Sequence, residues 1–176
     1  GGSGREGITD PTTKLLRPFV FEAQKRGVVW DVGHGAASFS FSQAIPASKA
    51  GFWPDVISTD HHGGSMNSAM KDILNVMNKM MALGMSVPKI INSVTWKPAQ
   101  VIHHEELGNL SVGSEGDVTV LRLRKGKFGV FDQMGQKVSA KQKFECEVTI
   151  KGGRVFYDLN GLTTPIPRVA NGIPAL

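Results

Sequence analysis

The stretch that most constrains this chain is VVWDVGHG at 28–35, echoed by PDVISTDHHG at 54–63. Each is a short apolar run that ends in ionisable residues. Such runs read as strands buried on both faces, the pattern of a parallel sheet. Open α/β sheets and α/β barrels carry their chemistry at the carboxyl ends of those strands. Strands are therefore expected over 28–32 and 55–59, joined by a Gly/Ser-rich loop and a short helix near 43–50. Met66, Met70, Ile73, Leu74, Met77, Met80 and Met81 then recur at helical spacing, so a helix is expected over 66–83, ended by Gly84. The methionines read as adaptable core packing. A helix is also expected over 10–26, with Pro18 able to mark the first turn of a shorter one. Further helical segments are expected over 87–93 and from Pro98. Helix, strand, loop, strand, helix is the order of an α/β unit with parallel pairing.

The character changes after Glu106. DVTVLRL, KFGVFD, QKVSA and KFECEVTIKGGRVFYD alternate apolar and polar residues between glycine turns, with KGG at 151–153 as a tight turn. Residues 107–160 are expected to form a small β module of their own, and 161–176, with three prolines and two glycines, an irregular tail. The opening GGSG reads as a tag or linker remnant, set aside over 1–5. At 176 residues the chain is too short for a whole eight-stranded barrel, which needs about 250.

Charge and cysteine content narrow the partners. Residues 120–143 hold seven Lys/Arg and one acidic residue, although the whole chain carries only +5. Alternation with apolar residues makes this the wet face of exposed strands, since few aromatics interleave to build a nucleic-acid surface. No nucleic acid and no membrane are expected as partners, and no 18-residue apolar run is present. Cys146 is alone, so a cytoplasmic, reducing setting is the default.

Asp31, His34, Asp60, His61 and His62 lie within 32 residues and carry the oxygen and nitrogen donors that suit zinc, iron or manganese. Here the sequence resembles the metal-dependent amidohydrolases, within them the deacetylase/dihydroorotase-like group. The matching words are VVWDVGHGAASFSF at 28–41, PDVISTDHH at 54–62, TWKPAQVI at 95–102 and GNLSVGSEGDVTVL at 108–121. The resemblance runs from about residue 6 to 161 and corresponds to the carboxyl-terminal half of such an enzyme. It implies an α/β fold. Residues 6–106 would be the carboxyl-terminal part of a (β/α)8 TIM-like barrel, its last two strands and helices, and 107–160 a β-sandwich module. It further implies that Asp60 binds a divalent metal, zinc foremost, and takes a proton from the attacking water. His34 would orient substrate or water. His62 would stand behind the metal residue or near substrate, and Asp31 would fix the GHG loop through backbone hydrogen bonds. His61 would be exposed, and His103 and His104 solvated at a boundary.

The family's HxH pair, bridging lysine and two further single histidines have no counterpart here. The intact enzyme is thus expected to hydrolyse amide or cyclic-amide C–N bonds of a small molecule, this chain being inactive alone and binding no metal by itself. The missing half or self-association would complete it. The alternative is a non-catalytic truncated homologue that serves as a structural or assembly module.

Overall fold

The computed structural model describes residues 7–67 and 69–164, so the readings of 1–5 and of most of 161–176 lie outside the described residues. In chain order come α1 (Pro18–Lys25), β1 (Asp31–Gly33), α2 (Phe41–Lys49), β2 (Val56–Ser58), α3 (Ile73–Ala82), α4 (Val87–Val94) and α5 (Trp96–Val101). Then follow β3 (Val118–Phe131), β4 (Lys137–Lys151) and β5 (Arg154–Asp158). β1 and β2 pair in parallel, Asp31 opposite Val56 and Gly33 opposite Ser58, with α2 as their crossover. β3, β4 and β5 form a separate antiparallel sheet in chain order. This is the expected mixed α/β class: a partial parallel β-α region followed by an antiparallel module. The turn between β4 and β5 is a two-residue loop whose Gly152 and Gly153 have φ of 55° and 74°. Two consecutive positive φ values define the mirror-image turn that matches strand twist, which is why KGG stands there.

Three elements differ from expectation, each for a local reason. The helix over 10–26 begins only at Pro18, because Asp10 Oδ1 accepts the N–H groups of Thr12 and Thr13, both at 2.8 Å, and closes a turn instead. Pro18 then sits at the helix start, where its missing N–H costs nothing. The helix over 66–83 begins at Ile73, since Asp72 Oδ1 caps it by accepting from Asn75 N–H at 2.7 Å. Met66 is left largely exposed, while Met70 is buried without being helical. The strand over 28–32 is shifted to 31–33, and Val28 and Val29 are exposed. Among the described residues β1 pairs on one side only, with β2, so the apolar run is not enclosed.

One core joins the two parts. Phe39, Phe41, Ile57, Met70, Val76, Met77, Met80, Met85 and Ile90 pack together with Val130 and Phe144 of the antiparallel sheet. α3 lies at its centre, packed against both β2 and β4. Five consecutive α3 residues, Val76 to Met80, are buried, so this helix has no wet face along its middle. Its polar residues must therefore find partners. Asn78 Oδ1 accepts Phe144 N–H at 2.7 Å, and Asn78 Nδ2 donates to Phe144 O at 3.3 Å. One amide thus satisfies both backbone groups of a buried strand residue. Asn78→Asp replaces the donor with a carboxylate facing a carbonyl, and is expected to lower unfolding free energy by about 2–3 kcal/mol in urea titration. An unchanged midpoint would mean that water fills in for the clamp.

The basic run behaves as the outer face of strands. Arg122 meets Glu147 at 2.5 Å, and Arg124 and Lys143 meet Glu145 at 2.9 and 2.7 Å. Cys146 is a half-buried strand thiol beside Thr149 Oγ1 at 3.3 Å. No helix among the described residues is long and apolar enough to cross a membrane.

Candidate active site

The two parallel strands end side by side. Gly35 N–H donates to Thr59 O at 2.8 Å, tying the chain after β1 to the chain after β2. Asp60 follows with φ of 50°, in the left-handed region. Its carboxylate lies directly against Gly35, itself at φ 48°, where any Cβ would collide with it. Ser38 Oγ donates to Asp60 Oδ2 at 3.4 Å. Gly33 is the second close approach, since a Cβ there would lie 3.1 Å from that of Asp60 and 3.5 Å from Asp31 Oδ2. The GHG word is thus a sterically built seat. Two glycines make room for one exposed carboxylate at the carboxyl end of a parallel pair.

The other candidates fall around this seat at different depths. Asp31 accepts from Ser58 Oγ at 2.6 Å, bracing β1 to β2 through a side-chain hydroxyl. His62 Nδ1 accepts from Gly64 N–H at 3.2 Å and caps a single turn, Gly63–Ser65, while its backbone N–H donates to Ser65 Oγ at 2.9 Å. His61 is exposed. His103 and His104 are exposed as well, with His104 Nδ1 2.8 Å from Glu106 Oε1.

His34 points inward. It is fully buried, stacked on Phe39 with centroids 5.0 Å apart. Nδ1 lies 3.0 Å from Gly35 O, and Nε2 lies 2.6 Å from Lys79 Nζ. Lys79, also fully buried, donates to Ala69 O at 3.0 Å and lies over the Phe39 ring. Burial pulls the Lys79 ammonium down to about 8, partly opposed by the charge of Asp132. Burial also pushes His34 below its ordinary value, with the Lys79 charge acting in the same direction and the Gly35 carbonyl and Asp132 against it.

Asp132 comes from the turn between β3 and β4. It is buried, accepting Phe41 N–H at 2.8 Å on Oδ2, and Met134 and Gln136 N–H at 3.0 and 2.9 Å on Oδ1. The neighbouring Gln133 accepts Ala69 N–H at 3.1 Å. The antiparallel hairpin therefore grips both segments that follow the parallel strands. Lys79 and Asp132 are the two residues that sequence patterning overlooked. Lys79 lies off the methionine stripe, and Asp132 carries no local mark beyond a turn residue.

Comparison with known proteins places this geometry. The model of the amidohydrolase family matches residues 40–156. The chain is 33% identical over 156 residues to a deacetylase of Enterococcus faecalis, covering 88% of this chain and 42% of that protein. It is 36% identical over 126 residues to a deacetylase of Agrobacterium fabrum, covering 72% of this chain and 31% of that one. A solved adenine deaminase superposes with a TM-score of 0.82 at 34% identity, over 88% of this chain and 42% of that chain. A solved dihydroorotase superposes with a TM-score of 0.75 at 32% identity, over 90% and 42%. The family model covers more than half of the chain and the overall fold is shared with both solved structures, so this chain belongs to the amidohydrolase family. It spans less than half the length of these relatives.

The family implies a divalent metal, and the residues present can be tested for it. Among the described residues no three His, Cys, Asp or Glu side chains gather around one point. Protein metal sites of this kind use three or four side-chain donors. Asp60 offers one, and His34 turns both ring nitrogens to other groups. The described residues therefore do not fit a metal by themselves.

Proposed function

We propose that the whole protein hydrolyses amide or cyclic-amide C–N bonds of a small molecule, and that this chain is its carboxyl-terminal part. Residues 6–106 would contribute the last two strands and helices of a (β/α)8 barrel, and 107–160 the β-sandwich module. The observation that carries the reading is the seat of Asp60: an exposed carboxylate, held in a left-handed backbone conformation against two glycines at the strand ends. A carboxylate so placed accepts the proton of a water as its oxygen bonds to the substrate carbonyl carbon. The C–N bond then breaks, and the amine leaves with a proton. Zinc or another divalent ion is proposed as a requirement of the whole enzyme, its remaining donors lying outside the described residues. Asp31 and His62 support this seat from β1–β2 and from the following turn.

The partner that completes the site is the rest of the barrel or a second copy, in a cytoplasmic setting. That β1 pairs on one side only among the described residues supports this. Trp30, Val32, Phe52 and Trp53, with residues of α2, line a cavity of about 300 Å³ beside β1.

The test is turnover by the full-length protein on a panel of N-acetylated amino compounds and cyclic amides. Activity should disappear on treatment with a chelator and return with added zinc. No turnover on either class with metal supplied would overturn the hydrolase reading in favour of a non-catalytic assembly module.

A further inference from the structure

We infer that Lys79 is a positioning residue: from the buried middle of α3 it fixes His34 as the neutral, Nδ1-protonated tautomer, making His34 a pillar of the Asp60 seat and not an acid–base group. The argument starts from hydrogen-bonding capacity. Gly35 O is a carbonyl and only accepts, so the His34 nitrogen 3.0 Å away must carry the proton. That nitrogen is Nδ1. A lysine ammonium only donates, so the ring nitrogen 2.6 Å from Lys79 Nζ must present its lone pair. That nitrogen is Nε2. The two contacts select the same tautomer independently.

The ring has no freedom to choose otherwise. Phe39 stacks on one face at 22°, and His34 has no exposed surface. Lys79 is itself held, because a second N–H goes to Ala69 O at 3.0 Å. One ammonium thus joins the loop after β1, through His34, to the segment after β2, through Ala69. The charged groups that act on His34 are Lys79 from α3 and Asp132 from the β3–β4 turn. Lys79 donates into the only lone pair of the neutral ring.

The consequence reaches Asp60 without touching it. Gly35 donates its N–H to Thr59 O and accepts from His34 Nδ1–H, so its peptide groups are fixed on both sides. Gly35 is also the residue against which the Asp60 carboxylate rests. Lys79 therefore sets the orientation of the glycine that seats Asp60. The role of that carboxylate in catalysis rests on the proposed hydrolase reading, whereas the tautomer and its dependence on Lys79 do not.

The experiment is nitrogen-15 NMR of the full-length protein with labelled histidine, the His34 signals being identified by their loss in His34→Gln. In the unaltered protein His34 should show a protonated Nδ1 and an unprotonated Nε2, and should titrate below the ordinary histidine value. Lys79→Met should let the tautomers mix and raise the histidine's titration toward that ordinary value. Lys79→Arg, which keeps donors at the same place, should restore the original signature. A protonated Nε2 in the unaltered protein would overturn the inference, and that measurement stands even where Lys79→Met fails to fold. Unchanged His34 signals in a folded Lys79→Met would overturn it too. Failure of the hydrolase reading would appear instead as absent turnover with the His34 signature intact.

Discussion

Asp60→Asn is expected to lower kcat of the full-length enzyme by about 10³-fold, the scale of losing a positioned general base. The thermal midpoint should move by no more than a few degrees. The choice of asparagine follows from the backbone. Asp60 has φ of 50°, a conformation that costs most L residues strain but that Asn and Asp adopt readily. Asparagine also preserves the shape packed against Gly33 and Gly35, and its amide oxygen can still accept from Ser38 Oγ. What it removes is the negative charge and the capacity to take a proton. Asp60→Ala is the poorer probe, because it strains the left-handed backbone and loses activity by two routes at once. Should Asp60 only brace the turn, Asn would leave kcat near its original value. Steady-state kinetics beside a melting curve separates the two outcomes. KM should change little, since the carboxylate acts on water and not on the bound acyl group.

The sequence exposed this site unevenly, and the reasons are physical. A strand end followed by Asp is a local pattern that marks Asp60 as one of five candidate donors over 31–62, and the family resemblance singles it out among them. The antiparallel alternation and the Gly152–Gly153 turn are local too and were equally visible, but the turn read at Gly126 is an irregularity in register within the continuous β3. Patterning fails where one element is packed by two others. α3 lies between β2 and β4, so its polar side is buried as well, and hydrophobic spacing said nothing of Asn78 or Lys79. It also fails at helix starts. The methionine spacing continues back to Met66, but the Asp72 side chain accepts the otherwise free N–H of Asn75 and places the start at Ile73. His34 illustrates a third limit. Its residue type suits a metal, a substrate or a core, and only the Gly35 and Lys79 contacts show which way the ring faces.

Asp132 joins residues far apart in the chain, and its removal should give the largest loss of stability. Asp132→Ala is expected to lower unfolding free energy by about 3–4 kcal/mol. Its buried side chain accepts three backbone N–H groups, from Phe41, Met134 and Gln136. Two of these define the β3–β4 turn. The third is the first N–H of α2, whose own cap residue Ser40 makes no side-chain cap, so the carboxylate serves as cap from 91 positions away. Losing a helix cap costs about 1 kcal/mol, and each further hydrogen bond to the charged carboxylate about 1–2. Asp132→Asn should recover part of the loss, since its one amide oxygen can serve two or three of the donors while its NH₂ group faces the rest. Asp132 also offsets the burial of Lys79, so the two sites should not act independently. A double-mutant cycle with Lys79→Met is expected to show coupling of about 1 kcal/mol, the scale for buried groups in one network. Additive losses would mean that the hairpin and the His34 pillar are separate structures. Coupled losses would mean that the antiparallel module helps to hold the loops on which Asp60 is seated.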